Sequence, residues 1–260
     1  MSDQTILFHS ENGIATMTLH RPESFNAFND AMHKEIMSVL KTVSRDEQIR
    51  CLVITGSGAK AFCSGQDLKD AIGKKRSLGE SVKKRYNPMI QFIRNMPKPV
   101  IARVNGVAAG AGASLVFACD YIVAAEHASF MQAFVKIGLV PDSGSSWFLP
   151  QDIGYHRAFE LATMGGKLSA LQAMEWGLVN AVVPEKELDE RVQSVATYYA
   201  SAPTLAVGMI KKLLNKALDT DLREALLQEA YAQEIAGRSD DYREGVDAFV
   251  AKRTALFKGR

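Results

Sequence analysis

The residues of this chain that could do chemistry are concentrated between Pro99 and Trp147. An apolar run from Val100 to Val104 reads as a buried strand. Asn105-Gly106 breaks it, and Ala108 to Ser114 holds only small residues before the helix-like Leu115–Cys119. A strand–turn–helix junction of this kind leaves backbone N–H groups unpaired where the helix dipole is positive. No side chain from Ala108 to Ala113 exceeds a methyl, so a ligand oxygen can approach the main chain closely. These are the materials of an oxyanion hole. Further on, Asp142 follows the apolar Ile137–Pro141 and precedes small residues. Apolar surroundings raise a carboxyl pKa, which makes Asp142 a candidate base. Each feature also has a plainer reading. The Gly-Ala turn can serve close helix–strand packing, and Asp142 can cap the helix that Trp147 and Phe148 begin.

A second junction of the same make-up lies upstream. Cys51–Thr55 reads as a short buried strand, followed by Gly56-Ser57-Gly58 and then Phe62-Cys63-Ser64-Gly65-Gln66-Asp67-Leu68. Two such turns can each offer one N–H to the same oxygen. Around them the elements are legible. Asn12-Gly13 between Ile6–Ser10 and Ile14–Leu19 predicts a hairpin. Asn29-Asp30 can cap a helix with Met32, Ile36, Leu40 and Val43 on one face. A helix from about Tyr86 to Asn95 should end before Pro97-Lys98-Pro99. Strands are expected at Tyr121–Ala125, Phe130–Phe134 and Val179–Val183, with helices at Tyr155–Met164 and Ala170–Trp176. The charged, weakly patterned stretch Ala71–Lys84 reads as a mobile, solvated segment. From Glu185 onward the periodicity is helical throughout, in four segments ending near Lys252. Pattern alone leaves open whether these helices cover the core or mediate assembly.

The totals narrow the function classes. With 260 residues, 47% of them hydrophobic, the chain can bury one substantial core. A net charge of +2 gives no general attraction for nucleic acid or an anionic membrane. Cys51, Cys63 and Cys119 show no metal-ligand spacing and no even disulfide framework, so no metal is expected and the thiols should be reduced. The N-terminal residues lack the basic start and apolar core of a signal peptide, and no run is long enough to span a bilayer, so a cytoplasmic protein is expected. Gly110-Ala111-Gly112 is a poor dinucleotide fingerprint, because Leu115 occupies the third glycine position.

Six motifs, in order over nearly the whole chain, resemble the crotonase, or enoyl-CoA hydratase/isomerase, family. They are L-H-R-P-E-S-F-N-A-F from Leu19, A-F-C-S-G-Q-D-L from Ala61, K-P-V-I-A-R-V-N-G-V-A-A-G-A-G from Lys98, G-L-V-P-D-S-G from Gly138, S-A-L-Q-A-M-E-W-G-L-V from Ser169 and D-Y-R-E-G-V-D-A-F-V-A-K-R from Asp241. The resemblance implies an α/β fold: a spiral of ββα repeats over residues 1–198, with helices over 199–260 that assemble trimers or hexamers and reach coenzyme A. It implies an acyl-CoA thioester substrate, with coenzyme A part of the substrate and no separate cofactor. Its carbonyl oxygen would sit between the backbone N–H groups of Gln66 and Ala111, where the side chains would matter little. By motif position, substrate contacts would come from Phe25, Ala27, Ser64, Asp67, Leu68, Gly110, Phe134, Val140, Phe249 and Lys252.

The departures are informative. Hydratases of the family carry glutamates where Ser114 and Phe134 stand here, and adding water to a double bond needs such groups. Asp142 falls instead where certain isomerases have their aspartate, among them the ring-1,2-epoxyphenylacetyl-CoA isomerases. The expected activity is therefore acyl-CoA isomerisation by a proton shuttle on Asp142. The alternatives are a 2-enoyl-CoA hydratase and a non-catalytic CoA- or RNA-binding relative.

Overall fold

The structure, a computed structural model, describes residues 4–71 and 77–260. Its first element is the hairpin of β1 (Ile6–Glu11) and β2 (Ile14–Leu19). The two-residue turn works because Asn12 and Gly13 both take positive φ, 51° and 80°, which matches the twist of the flanking strands. Helix α1 (Asp30–Arg45) starts where Asn29 accepts the Met32 N–H at 2.8 Å, and it buries Met32, Ile36, Leu40 and Val43 as the spacing requires. Strands β3 (Cys51–Gly56) and β4 (Ala61–Cys63) are buried throughout and lead to the short α2 (Leu68–Ala71). Helix α3 (Leu78–Ser81), a single π turn (Val82–Tyr86) and α4 (Asn87–Asn95) run on continuously.

The central repeats follow. Strands β5 (Val100–Val104) and β6 (Val107–Ala109) precede α5 (Ala111–Phe117). Strands β7 (Tyr121–Ala125) and β8 (Ser129–Met131) precede a 3-10 turn at Ala133–Ile137, then α6 (Ser145–Ile153) and α7 (Tyr155–Met164). The body closes with β9 (Lys167–Ser169), α8 (Ala170–Glu175) and β10 (Ala181–Val183). Helices α9 (Leu188–Ser201), α10 (Thr204–Ala217), α11 (Leu222–Gly237) and α12 (Asp240–Val250) complete the chain.

The first strand of each repeat joins one sheet and the second joins another. A six-stranded sheet runs β1-β2-β3-β5-β7-β10, parallel except for the β1–β2 hairpin. A four-stranded sheet runs β4-β6-β8-β9, with β9 antiparallel at its edge. Successive β3/β4, β5/β6 and β7/β8 pairs therefore advance along both sheets together, which makes the chain a spiral of ββα turns. Parallel strands covered on both sides read as continuous apolar runs, which accounts for C-L-V-I-T.

Three expectations need adjustment. The strand expected at Phe130–Phe134 ends at Met131, and Phe134 lies on the 3-10 turn instead. Helix α5 begins at Ala111, not Leu115. Alanine favours a helix while Gly112 and Ser114 do not, and burial of every residue holds the first turn together. Within the segment expected to be mobile, residues 72–76 lie outside the described residues, whereas the rest has helical order. There Ser77 caps α3 and Glu80 pairs with Lys84 at 3.2 Å, and just beyond it Tyr86 is buried.

The C-terminal helices are tied to the spiral by charged groups. Helix α9 packs on β3, β5 and β7. Lys211 of α10 is 8% exposed and donates to Asp120 Oδ2 at 2.6 Å and to the carbonyls of Ile93 and Lys98. Arg50, just before β3, donates to Thr204 Oγ1 at 2.6 Å, to Phe257 O at 3.3 Å and to Ala202 O. Buried Asp241 accepts the N–H groups of Lys258 and Gly259, folding the last residues back on α12.

Candidate active site

The two Gly-containing junctions meet. Phe28 donates to Gly65 O and accepts from Asp67 N in a parallel bridge, so the N–H of Gln66 faces away from Phe28. Ala111 is the first residue of α5, where a helical N–H has no partner within the helix. Neither amide donates to an acceptor among the described residues. Gly65 lies between the two segments. Its φ is +90°, and a Cβ there would sit 3.3 Å from Ala111 N and 2.9 Å from Ala109 O. Gly110, at φ +51°, turns the chain from β6 into α5 while its own N–H bonds Met131 O. The result is a pair of free main-chain donors on two adjacent turns, able to hold one anionic oxygen.

The Gln66 side chain is anchored at three points, which fixes the main-chain donor in place. Its Nε2 donates to Phe28 O and Asp67 O, and its Oε1 accepts the Tyr86 hydroxyl at 2.5 Å. Tyr86 packs edge-on against Phe28 and His33. Burial, with the Arg85 charge adding to it, lowers the His33 pKa to about 4, so this ring is neutral at physiological pH.

Asp142 is half-buried, on an irregular loop before α6. It does not cap that helix with its side chain. The cap position is Gly144, without a side-chain bond, and it is the Asp142 carbonyl that accepts Ser145 N. Burial raises the carboxyl pKa, opposed by the hydroxyl of Ser143, which donates to Oδ1 at 2.8 Å. Ser143 takes φ +54°, an uncommon conformation for a residue with a Cβ. The loop joins the amide pair through Ser114, whose Oγ contacts both Gly110 O and Asp142 O. Phe134 closes the same space: its ring edge lies 3.8 Å from where a Gly110 Cβ would be. Gln66, Gly110, Ala111, Phe134 and Asp142 thus converge, whereas Val140 is 78% exposed on the same loop.

A second group forms beside the first. Arg21 donates to Ala27 O at 2.7 Å and pairs with Asp67 at 2.9 Å. Partial burial works to raise the Asp67 pKa, but the Asp70 amide and the Arg21 guanidinium hold it below the usual carboxylate value. Ser64 donates its N–H to Phe25 O, and Phe25 and Asn26 take positive φ of 52° and 56°. Phe25, Ala27, Ser64 and Asp67 are therefore neighbours, with Leu68 opening α2 and half exposed. Phe249 and Lys252 are not brought to this group within one chain. Both are exposed at the end of α12, and Phe249 lines a separate cleft of about 850 Å³ with Tyr242 and Phe257. Another cleft, of about 390 Å³, lies between α6 and α10 and also excludes Asp142. Cys63 is buried and its thiol is pushed up to about 12, so it is not a nucleophile.

Sequence reasoning passed over Arg21, Tyr86, Ser143 and Ser145. Arg21, beside Pro22, and Ser143, beside Asp142, do stand in quoted motifs. The Tyr86 phenol and the Ser145 hydroxyl find their partners only when distant segments meet.

Known proteins resemble this chain over nearly its whole length. A family model described as enoyl-CoA hydratase/isomerase matches residues 9–260. The chain is 48% identical to 1,2-epoxyphenylacetyl-CoA isomerase of Escherichia coli (strain K12), over 98% of both chains. It is 42% identical over the full length of both to a probable enoyl-CoA hydratase of Rhodobacter capsulatus. Among solved structures, the enoyl-CoA hydratase of Bacillus anthracis superposes with a TM-score of 0.94 at 33% identity, covering 99% of this chain and 100% of that one. A crotonase spiral with paired main-chain donors, matched in sequence almost end to end, makes this chain a member of the enoyl-CoA hydratase/isomerase family.

Proposed function

We propose that this chain is an acyl-CoA isomerase in which Asp142 carries the proton. The observation that carries the reading is a single carboxylate, made more basic by burial, on a loop tied to two free main-chain amides. Asp142 removes a proton from C2 of the acyl group, and the charge moves to the thioester oxygen. There the N–H groups of Gln66 and Ala111 stabilise the enolate, each donor being worth roughly 3–4 kcal/mol in the transition state. With a 3-enoyl-CoA the same group returns the proton at C4, and the double bond becomes conjugated. With the ring epoxide of phenylacetyl-CoA, loss of the C2 proton lets the strained ring expand to the seven-membered oxepin, and Asp142 returns the proton to a ring carbon, so that composition is unchanged. The 48% identity to an enzyme named for that epoxide supports the second substrate.

Ser114 and Phe134 support isomerisation over hydration. Ser114 is fully buried, with its hydroxyl engaged by three protein oxygens, and Phe134 offers no acid or base. The hydratase reading rests on relatives such as the Rhodobacter protein, named a probable hydratase. Product analysis with a 3-enoyl-CoA, a 2-enoyl-CoA and the phenylacetyl-CoA ring epoxide separates the two. Asp142→Asn should lower isomerisation by roughly 10²- to 10⁴-fold, the usual range for a general acid–base group. An unchanged rate would refute the assignment.

The same reading makes residues 199–260 an assembly region that brings Phe249 and Lys252 to coenzyme A on a neighbouring copy. Large apolar side chains exposed on α10–α12, including Leu214, Leu222, Tyr231 and Phe249, support a trimer or hexamer.

A further inference from the structure

The loop that carries Asp142 is held by little. Among the described residues, the hydrogen bonds of Gly138–Gly144 stay within that loop and its flanking turn and helix, with one exception. The exception is the contact of Ser114 Oγ with Asp142 O at 3.1 Å. Ser114 Oγ also lies 3.2 Å from Gly110 O and 2.7 Å from Ser145 Oγ. A bond from a helical serine to the carbonyl four residues back is ordinary and accounts for the Gly110 contact. It does not account for the other two.

The proton count gives the network a direction. A hydroxyl has one hydrogen to donate, and both carbonyls can only accept. One arrangement uses both hydroxyl hydrogens: Ser145 donates to Ser114 Oγ, and Ser114 shares its single hydrogen between Asp142 O and Gly110 O. We infer that the Ser145–Ser114 hydroxyl pair is a positioning device, a strap that fixes the Asp142 loop against the Gly110–Ala111 turn. It sets the separation between the base and the amides that receive the charge. This rests on the isomerase reading above and adds to it a role for the residue that replaces the hydratase glutamate. The loop has reason to need the strap: Ser143, next to Asp142, takes the left-handed conformation, and Val140 stands in solvent.

The pair can be removed without endangering the fold. In Ser114→Ala, Asp142 O keeps the Ser145 N–H and Gly110 O keeps the Ser114 N–H. In Ser145→Ala, Ser114 can still donate to Asp142 O. The structure thus orders the effects: Ser114→Ala is the more severe, and the double variant is no worse than Ser114→Ala, since Ser145 acts only through Ser114.

The test uses the full chain, 3-enoyl-CoA isomerisation, and the variants Ser114→Ala, Ser145→Ala, the double variant and Asp142→Asn. Ser114→Ala should lower kcat roughly 10- to 100-fold, the scale of a misplaced catalytic group, with KM within about twofold. Release of the loop into water should also move the acid limb of its kcat–pH profile to lower pH, because burial is what raises the Asp142 pKa. A merely structural serine would lower Tm and leave that limb in place. If Ser114→Ala keeps kcat within twofold while Asp142→Asn is inactive, the strap is refuted and the base assignment stands. Effects of the two serines that multiply in the double variant also refute it. If Asp142→Asn remains active, the isomerase reading itself fails and the strap falls with it.

Discussion

Replacing Gly65 by alanine tests the amide pair without touching either donor. The added Cβ would lie 3.3 Å from Ala111 N and 2.9 Å from Ala109 O, both main-chain atoms. Neither can swing aside as a flexible side chain would, so the two turns must part. The φ of +90° adds strain of roughly 1–2 kcal/mol for any residue with a Cβ. Stability should therefore fall by about 2 kcal/mol, a modest share of a total that is typically 5–15 kcal/mol, and the variant should fold. Activity should suffer more. Parting the turns takes one amide out of register with the thioester oxygen, and losing one such donor removes roughly 2.7–4 kcal/mol, or 10²- to 10³-fold in kcat. The assay is steady-state isomerisation of a 3-enoyl-CoA, with denaturant unfolding on the same preparation. A folded Gly65→Ala protein with kcat within threefold of the parent would show that Gln66 and Ala111 do not hold the developing charge together.

Three further outcomes are expected. Asp142 has a raised pKa in the fold, so the folded state holds its proton more tightly than the unfolded chain does, and stability is lost as pH rises through the carboxylate range. Asp142→Asn should accordingly raise Tm at pH 7, with the gain closing below about pH 4, where both forms are neutral; a scan over that range checks it. Ser143→Ala removes the hydroxyl that favours the ionised carboxyl, so the acid limb of the kcat–pH profile should move to higher pH. Lys211→Met leaves Asp120 largely buried, with Arg94 at 3.8 Å as partial compensation, and should cost about 3 kcal/mol by denaturant unfolding.

Much of this was legible before any coordinates. The Asn12-Gly13 turn, the Asn29 cap and the apolar run from Cys51 each follow from one local rule, and the structure keeps all three. The small residues of the two junctions pointed to the same turns, and close packing is part of their reason: a Cβ at Gly112 would lie 2.2 Å from Cys63 O. What escaped depends on contacts between distant segments. Helix α5 starts four residues early because its Gly-Ala stretch is buried from every side, a fact no propensity carries. The stretch before Tyr86 looks like solvated charge until that residue's ring is seated against Phe28 and His33. Ser114 reads in the sequence as a missing acid. Only the meeting of α5 with the Asp142 loop shows what its hydroxyl does instead.

Arg50 has a consequence for how the chain comes together. Its partners at Ala202, Thr204 and Phe257 lie 152, 154 and 207 residues further along. Closing loops of that length is slow beside helix formation, which takes microseconds. Helices α10–α12 can thus form early as local units, with these long-range bonds closing later. Arg50 can take Ala202 and Thr204 first, and its bond to Phe257 closes only when the segment after α12 folds back along that helix.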